Sequence, residues 1–179
     1  VEKCKPIPLF LETIHRLADF FVLRKVRDYF GMKRVRCCAS GGALSSPDLP
    51  RFFKSLGLPF SNLYGTVEAG MLTTTDPLDT AYSSIGKANP GKEIKIERGE
   101  IWAKVGKERP GYWNKPGLWE EQVKDGWYPT GDAGWMNDEG YIYYVDRISE
   151  MSSLRNGYRF SPQFIETRLR FNPYIKDAI

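Results

Sequence analysis

Three turn dipeptides in the second half of the chain, Arg98-Gly99, Asp125-Gly126 and Glu139-Gly140, constrain the fold most strongly. A polar residue followed by glycine between apolar runs reverses an extended chain within a few residues. The runs beside these turns, residues 93–97, 100–105 and the aromatic stretch 141–147 (YIYYVDR), are short and rich in strand formers. From about Ser84 the chain therefore reads as a small antiparallel barrel or curled sheet. Asn156-Gly157 marks a further turn, and Ser161-Pro162 opens a last helix that Asn172-Pro173 stops. The residues that follow, up to Ile179, read as the start of a strand.

The first 65 residues have a different texture. Phe10, Ile14, Leu17 and Phe21 recur at helical spacing over residues 8–30, and Gly31 supplies the stop. Residues 33–39 read as a strand and Ser40-Gly41-Gly42-Ala43 as a turn. Ser46 followed by Pro47 begins a second helix that runs to about Leu56 and ends at Gly57. Residues 58–64 read as another strand. Helix and strand in alternation predict an α/β layer with parallel strands.

A length of 179 residues with 41% hydrophobic content suffices for a real core and excludes wholesale disorder. No run approaches the roughly 18 to 20 apolar residues of a membrane span, so a soluble, cytoplasmic protein is the expectation. Of the three cysteines two are adjacent, Cys37 and Cys38, which fits buried strand thiols rather than a disulfide framework or zinc site. Residues 1–55 carry 11 Lys/Arg against 5 Asp/Glu, leaving 15 against 17 in the remainder, so the net charge of +4 is a local basic excess. Such an excess suits nucleic acid, anionic lipid, a polyphosphate or a solvated helix face alike. His15, the sole histidine, lies on the predicted helix with no cysteine partner near it, and a general-base role is not expected of it.

Single motifs carry limited information. Ser40-Gly41-Gly42-Ala43 after a strand lets backbone approach a ligand, or makes an ordinary turn. Tyr64-Gly65-Thr66-Val67-Glu68 puts an aromatic face, a hydroxyl and a carboxylate at a strand end, where open α/β sheets bind ligands. Thr130-Gly131-Asp132 reads as a turn that offers a carboxylate to a sugar diol. Asp146-Arg147 offers a cation for phosphate or ribose, or a surface ion pair.

Taken in order, SGGA, YGTVE, a SIGK turn (residues 84–87), Gly99-Glu100-Ile101, PGYWNKP (110–116), GWYPTGD (126–132), GYIYYVDR (140–147) and NGYRFSPQFIE (156–166) resemble the adenylate-forming superfamily of acyl-CoA synthetases, luciferases and peptide-synthetase adenylation domains. Asp146 where GR is common, and the RFSPQFIE segment, look most like the long-chain fatty acid ligases. The resemblance implies part of a large α/β domain (1–80), a β-rich, barrel-like subdomain (81–146) and the start of an α+β C-terminal lid (147–179). It implies a two-step reaction in which a fatty carboxylate attacks the α-phosphate of ATP to give acyl-AMP and pyrophosphate, after which the thiol of CoA displaces AMP. By similarity, Gly41, Gly42 and Ala43 line the adenine, Tyr64 stacks on it, and Gly65, Thr66 and Tyr144 join the nucleotide site. Glu68 holds Mg²⁺ and acts with Thr66 in catalysis, Asp132 accepts the ribose hydroxyls, and Arg147 contacts ribose or phosphate. Ser149 is the hinge, and Gly157 approaches the pantetheine arm of CoA. Fatty acid, ATP and CoA are the implied small-molecule partners. Peripheral membrane association of the intact protein stays open. Nucleic acid is not an implied partner, because the aromatic residues fall inside the adenylate motifs.

Three departures sharpen the expectation. The family pattern has threonine where Val67 stands, which removes one hydroxyl donor to phosphate. No Ser/Thr/Gly-rich phosphate loop ending in Pro-Lys is found, and Lys176 does not sit in the context of the family's C-terminal lysine. An internal piece that does not turn over alone is the expectation, with a non-catalytic module that binds adenylate or a partner as the alternative.

Overall fold

The computed structural model describes residues 8–43, 46–106 and 111–178. Cys4, Pro110 of the PGYWNKP motif and Ile179 lie outside them. The N-terminal rod is α1 (Leu9–Ala18), a π-helical turn (Asp19–Leu23) and α2 (Arg24–Tyr29). Gly31, at φ +70°, ends it as the sequence predicts. Arg27 pairs with Asp19 at 2.6 Å across the π turn and also donates to the carbonyl of Leu56, which docks the rod on the end of α3 (Asp48–Ser55). The apolar residues at helical spacing, Phe10, Ile14, Leu17 and Phe21, are all exposed.

The first sheet has the order β1 (Cys38–Gly41), β2 (Phe60–Thr66), β3 (Gly70–Thr74), β4 (Lys87–Ala88). Only β1 and β2 are parallel; β3 and β4 run antiparallel, so the expected parallel layer reduces to one strand pair. β1 also starts later than the sequence suggests. Its first partner is Phe60, and the chain before β2 is Pro59, whose missing N–H ends the ladder there. Cys37 is consequently outside the strand and exposed, and Cys38 is half-buried, so neither is a fully buried strand thiol.

The second sheet is an antiparallel meander of β5 (Ile94–Glu97), β6 (Glu100–Lys104), β7 (Trp127–Met136) and β8 (Ile142–Arg147), with α4 (Leu118–Gln122) in the long β6–β7 connection. β5 and β8 do not pair with each other, so the sheet does not close on itself, which corrects the barrel-like expectation. Arg98 and Gly99 have φ of +52° and +80°, as do Asp125 and Gly126, so both dipeptides form the tight turns that match strand twist. Register shifts at Glu100/Trp102 and Ala133/Gly134 bend β7. Beyond β8 come a 3₁₀ turn (Ile148–Glu150), a hairpin of β9 (Ser152–Ser153) and β10 (Arg159–Phe160), and α5 (Pro162–Arg170). Ser161 caps α5 by accepting from the N–H of Phe164. The residues after α5 form turns and coil up to Ala178 rather than a strand.

The two sheets share one core. Ala69 and Leu72 from the first pack with Ala103, Val105, Trp119 and Tyr128 from the second. A backbone seam adds to this: Ile142 N–H donates to the Gly86 carbonyl at 2.9 Å, while Ile85 N–H and the Ser84 hydroxyl both donate to the Ile142 carbonyl.

Candidate functional site

A cleft of about 710 Å³, counting the solvent at its mouth, opens where the seam leaves the sheets apart. Ser40, Gly42 and Ala43 form one wall at the end of β1, and Asn62 to Gly65 of β2 form the floor. The loop from Tyr82 to Ile85 closes one side, and Asp132, Tyr144 and Arg147 of the meander close the other.

Asp132 is the electrostatic centre. It is 2% exposed, and Tyr64 donates to its Oδ2 at 2.6 Å. Arg147 Nη1 approaches Oδ1 at 3.0 Å without the alignment of a hydrogen bond, so Oδ1 is a buried acceptor with an ionic partner only. Burial raises the Asp132 carboxyl above its ordinary 3.8, against the opposing pulls of the Tyr64 hydroxyl and the Arg147 charge. Burial likewise raises the phenol of Tyr64, which keeps it a neutral donor to Asp132. Tyr144 is raised for the same cause, and its ring leans on Tyr64 at 6.0 Å.

Asp132 lies within β7 rather than on the turn its sequence context suggests. Gly131, at φ +72°, kinks the strand, and the carboxylate of Glu100 accepts its N–H at 2.9 Å. The Thr130 hydroxyl donates to the Ile101 carbonyl at 2.7 Å and accepts from Asp132 N–H. Arg147 Nη1 donates to the Thr130 carbonyl at 3.1 Å. The kink is therefore fixed from β6 and β8 together, and it aims the carboxylate into the cleft.

Asn62 is the site residue that the motifs did not single out. Its Nδ2 donates to the Ser84 carbonyl at 3.1 Å, which fixes the amide's orientation. Its Oδ1 is then a buried acceptor with no hydrogen-bond partner among the described residues. Alternation along β2 puts residues 62 and 64 on one face, so the signal was present two places before Tyr64.

The remaining sequence candidates divide. Gly65 lines the cleft and also lets β2 meet β3 closely, since a Cβ there would lie 2.3 Å from the Gly70 carbonyl oxygen. Gly41 is not on the cleft wall; a Cβ there would lie 2.7 Å from the Leu63 oxygen, so its smallness serves strand packing. Thr66 and Glu68 lie in and after the end of β2 and are not on the wall either. The Thr66 hydroxyl accepts from Ala69 N–H at 3.0 Å, and Glu68 meets Tyr112. Val67 is 94% exposed. Ser149 is exposed in the 3₁₀ turn, and Gly157 turns the β9–β10 hairpin at φ +83°. No helix among the described residues is long and apolar enough to cross a membrane.

The mixed α/β fold matches solved structures of an adenylate-forming enzyme. o-Succinylbenzoate CoA synthetase from Bacillus subtilis, in complex with the acyl-adenylate intermediate OSB-AMP, matches with a TM-score of 0.70 at 30% identity, over 80% of this chain and 32% of that one. The same synthetase in complex with ATP and magnesium ion matches with a TM-score of 0.69 at 29% identity, over 79% of this chain and 32% of that one. The AMP-binding enzyme family model matches residues 7–112, and the chain belongs to that family. The long-chain-fatty-acid–CoA ligase FadD15 of Mycobacterium bovis is 31% identical over 173 residues, which is 96% of this chain and 29% of that protein. The chain thus spans less than a third of that relative.

Proposed function

We propose that this chain carries part of the adenylate-binding face of an AMP-forming acid–thiol ligase, and that the whole protein joins a long-chain fatty acid to CoA at the expense of ATP. The observation that carries the reading is the pairing of two buried, under-satisfied acceptors in one cleft, Asn62 Oδ1 and Asp132 Oδ1. An adenine amino group suits the first and a ribose hydroxyl the second, with Tyr64 and Tyr144 as the faces between them. Arg147 supplies a cation at the mouth for phosphate. The long-chain substrate rests on the likeness to FadD15.

Residues 1–80 are read as part of the large domain, 81–146 as the β-rich subdomain and 147–179 as the start of a lid that pivots near Ser149, with Gly157 offering open backbone to CoA. Gly157 has no atom within 4 Å of where a Cβ would stand, which fits that use. No group of three or more His, Cys, Asp or Glu among the described residues forms a metal cage. The donor set instead fits a cation that takes one carboxylate, Glu68, and completes its shell from phosphate oxygens and water. Such an ion supplies charge stabilisation on the phosphates. Gly41 and Thr66 enter this reading as supports of the strand and turn that carry the site.

AMP titration into the 179-residue chain, followed by calorimetry, tests the site. Weak saturable binding is expected, with Asn62→Ala lowering affinity about tenfold and erasing the preference for AMP over inosine monophosphate. Absence of AMP binding sinks the reading. ATP–pyrophosphate exchange with palmitate, in the full product of the reading frame that encodes this chain, tests catalysis. AMP binding without exchange there favours a non-catalytic adenylate-binding module instead.

A further inference from the structure

Glu68 is gripped from the second sheet. Tyr112, in the segment between β6 and α4, places its hydroxyl 3.0 Å from Glu68 Oε1, 3.1 Å from Gln122 Oε1 and 3.5 Å from the hydroxyl of Tyr128. One phenol has one hydrogen to give. A carboxylate only accepts, so that hydrogen belongs to Glu68. Gln122, whose amide nitrogen and oxygen have the same shape, then turns its NH₂ toward Tyr112, and Tyr128 donates over its longer distance. The network is directional: Gln122 and Tyr128 give to Tyr112, which gives to Glu68.

The backbone under Glu68 is already fixed. Its neighbour Ala69 is 1% exposed in the shared core, and the N–H of Ala69 is held by the Thr66 hydroxyl. Lys92 Nζ donates to the carbonyl of Ala69 at 3.2 Å. What stays adjustable is the carboxylate torsion; Tyr112 supplies the 3.0 Å hydrogen bond on it, and the Tyr128 hydroxyl adds a weaker interaction behind that bond. Tyr112 itself is set by its ring against Trp119, 6.3 Å between centroids, and by Lys115 N–H on its carbonyl. The hydroxyl thus transmits the position of the meander to a carboxylate on the first sheet.

We infer that Tyr112, with Gln122 behind it, is a positioning residue that presets the Glu68 carboxylate for a divalent cation carried in on a nucleotide triphosphate. The inference rests on the proposed adenylate site and deepens it. Removal of such an outer partner weakens metal affinity about 10-fold or more.

The test compares wild type, Tyr112→Phe and Gln122→Glu in the full product of the reading frame, by calorimetric binding of AMP without metal and of ATP with and without Mg²⁺. Phenylalanine keeps the ring on Trp119. Glutamate sets a second carboxylate against Glu68 for the single hydroxyl hydrogen. Expected for both variants is AMP affinity within about twofold of wild type, and a gain in ATP affinity on adding Mg²⁺ that shrinks about 10-fold. An unchanged Mg²⁺ gain in Tyr112→Phe overturns the inference while leaving the adenylate site standing. A variant that loses AMP affinity in the same proportion shows a packing role, and overturns it too. Wild type that fails to bind AMP removes the adenylate reading itself.

Discussion

Asp132 shows how one residue sets two pH dependences of opposite sign. Burial lifts its native carboxyl above 3.8, so the native state holds the proton more tightly than the unfolded chain does. Between 3.8 and that raised value, acidification favours the native state as far as this group is concerned, and the contribution is lost as pH rises through the native value. Ligand binding runs the other way, because a protonated carboxyl accepts poorly from a ribose diol. AMP affinity is therefore expected to fall on acidification at a pH where an ordinary aspartate is still ionised. Asp132→Asn should lower affinity about 10- to 100-fold and flatten that dependence, since a charged acceptor is lost. AMP titrations across a pH series read both effects, and a wild-type profile that stays flat into the ordinary aspartate range counts against them. The sequence located Asp132 but misread its setting. A Gly-Asp pair looks like a turn locally, whereas the support for Gly131 comes from Glu100, 31 positions away.

At the scale of elements, the local signals worked where turn chemistry or capping decides. The positive φ of Gly99, Asp125 and Gly126, the N-cap at Ser161 and the stop at Gly31 follow from the residues in place, whereas Arg98, at φ +52°, takes a left-handed conformation that the turn imposes and its side chain disfavours. Pairing was less legible. Thr73, Thr74 and Thr75 are polar, yet β3 is a central strand in which Leu72 and Thr73 are fully buried, because the Thr73 hydroxyl is satisfied by the Ile85 carbonyl. The seam at Gly86 is a second case. At φ +97° a Cβ would lie 2.5 Å from the Thr74 oxygen, so a side chain there meets both backbone strain and a collision with β3. Gly140, at φ +82° with nothing within 4 Å, meets strain alone. Gly86→Ala should cost about 3 kcal/mol and Gly140→Ala about 1 kcal/mol in urea unfolding. Equal losses would mean that the seam relaxes around an added methyl and does not hold the sheets in register.

At the scale of the molecule, the rod of α1, the π turn and α2 is the part whose chemistry the rest of the chain leaves unanswered. Phe10 is 71% exposed, Phe21 60% and Leu17 55%, and Leu9, Phe20 and Val22 are exposed beside them. The helical spacing announced an amphipathic element, but spacing alone does not say what covers the apolar stripe. Contiguous apolar surface of this kind drives association in water. The rod itself is nearly neutral, with Arg16, Arg24, Lys25 and Arg27 against Glu12, Asp19 and Asp28, but the residues flanking it carry most of the basic excess of residues 1–55, which opposes contact between copies at low ionic strength. The two forces separate by salt: screening weakens repulsion over distances beyond about 8–10 Å and leaves apolar contact in place. The 179-residue chain is therefore expected to self-associate more strongly as salt is raised, seen as a concentration-dependent increase in sedimentation coefficient. Replacing Phe10, Leu17 and Phe21 together by glutamine should return it to a monomer. AMP affinity should not change, because none of the cleft residues lies on the rod. Association that weakens with salt would instead assign the contact to charge, and an unchanged sedimentation profile in the triple variant would assign it to another surface.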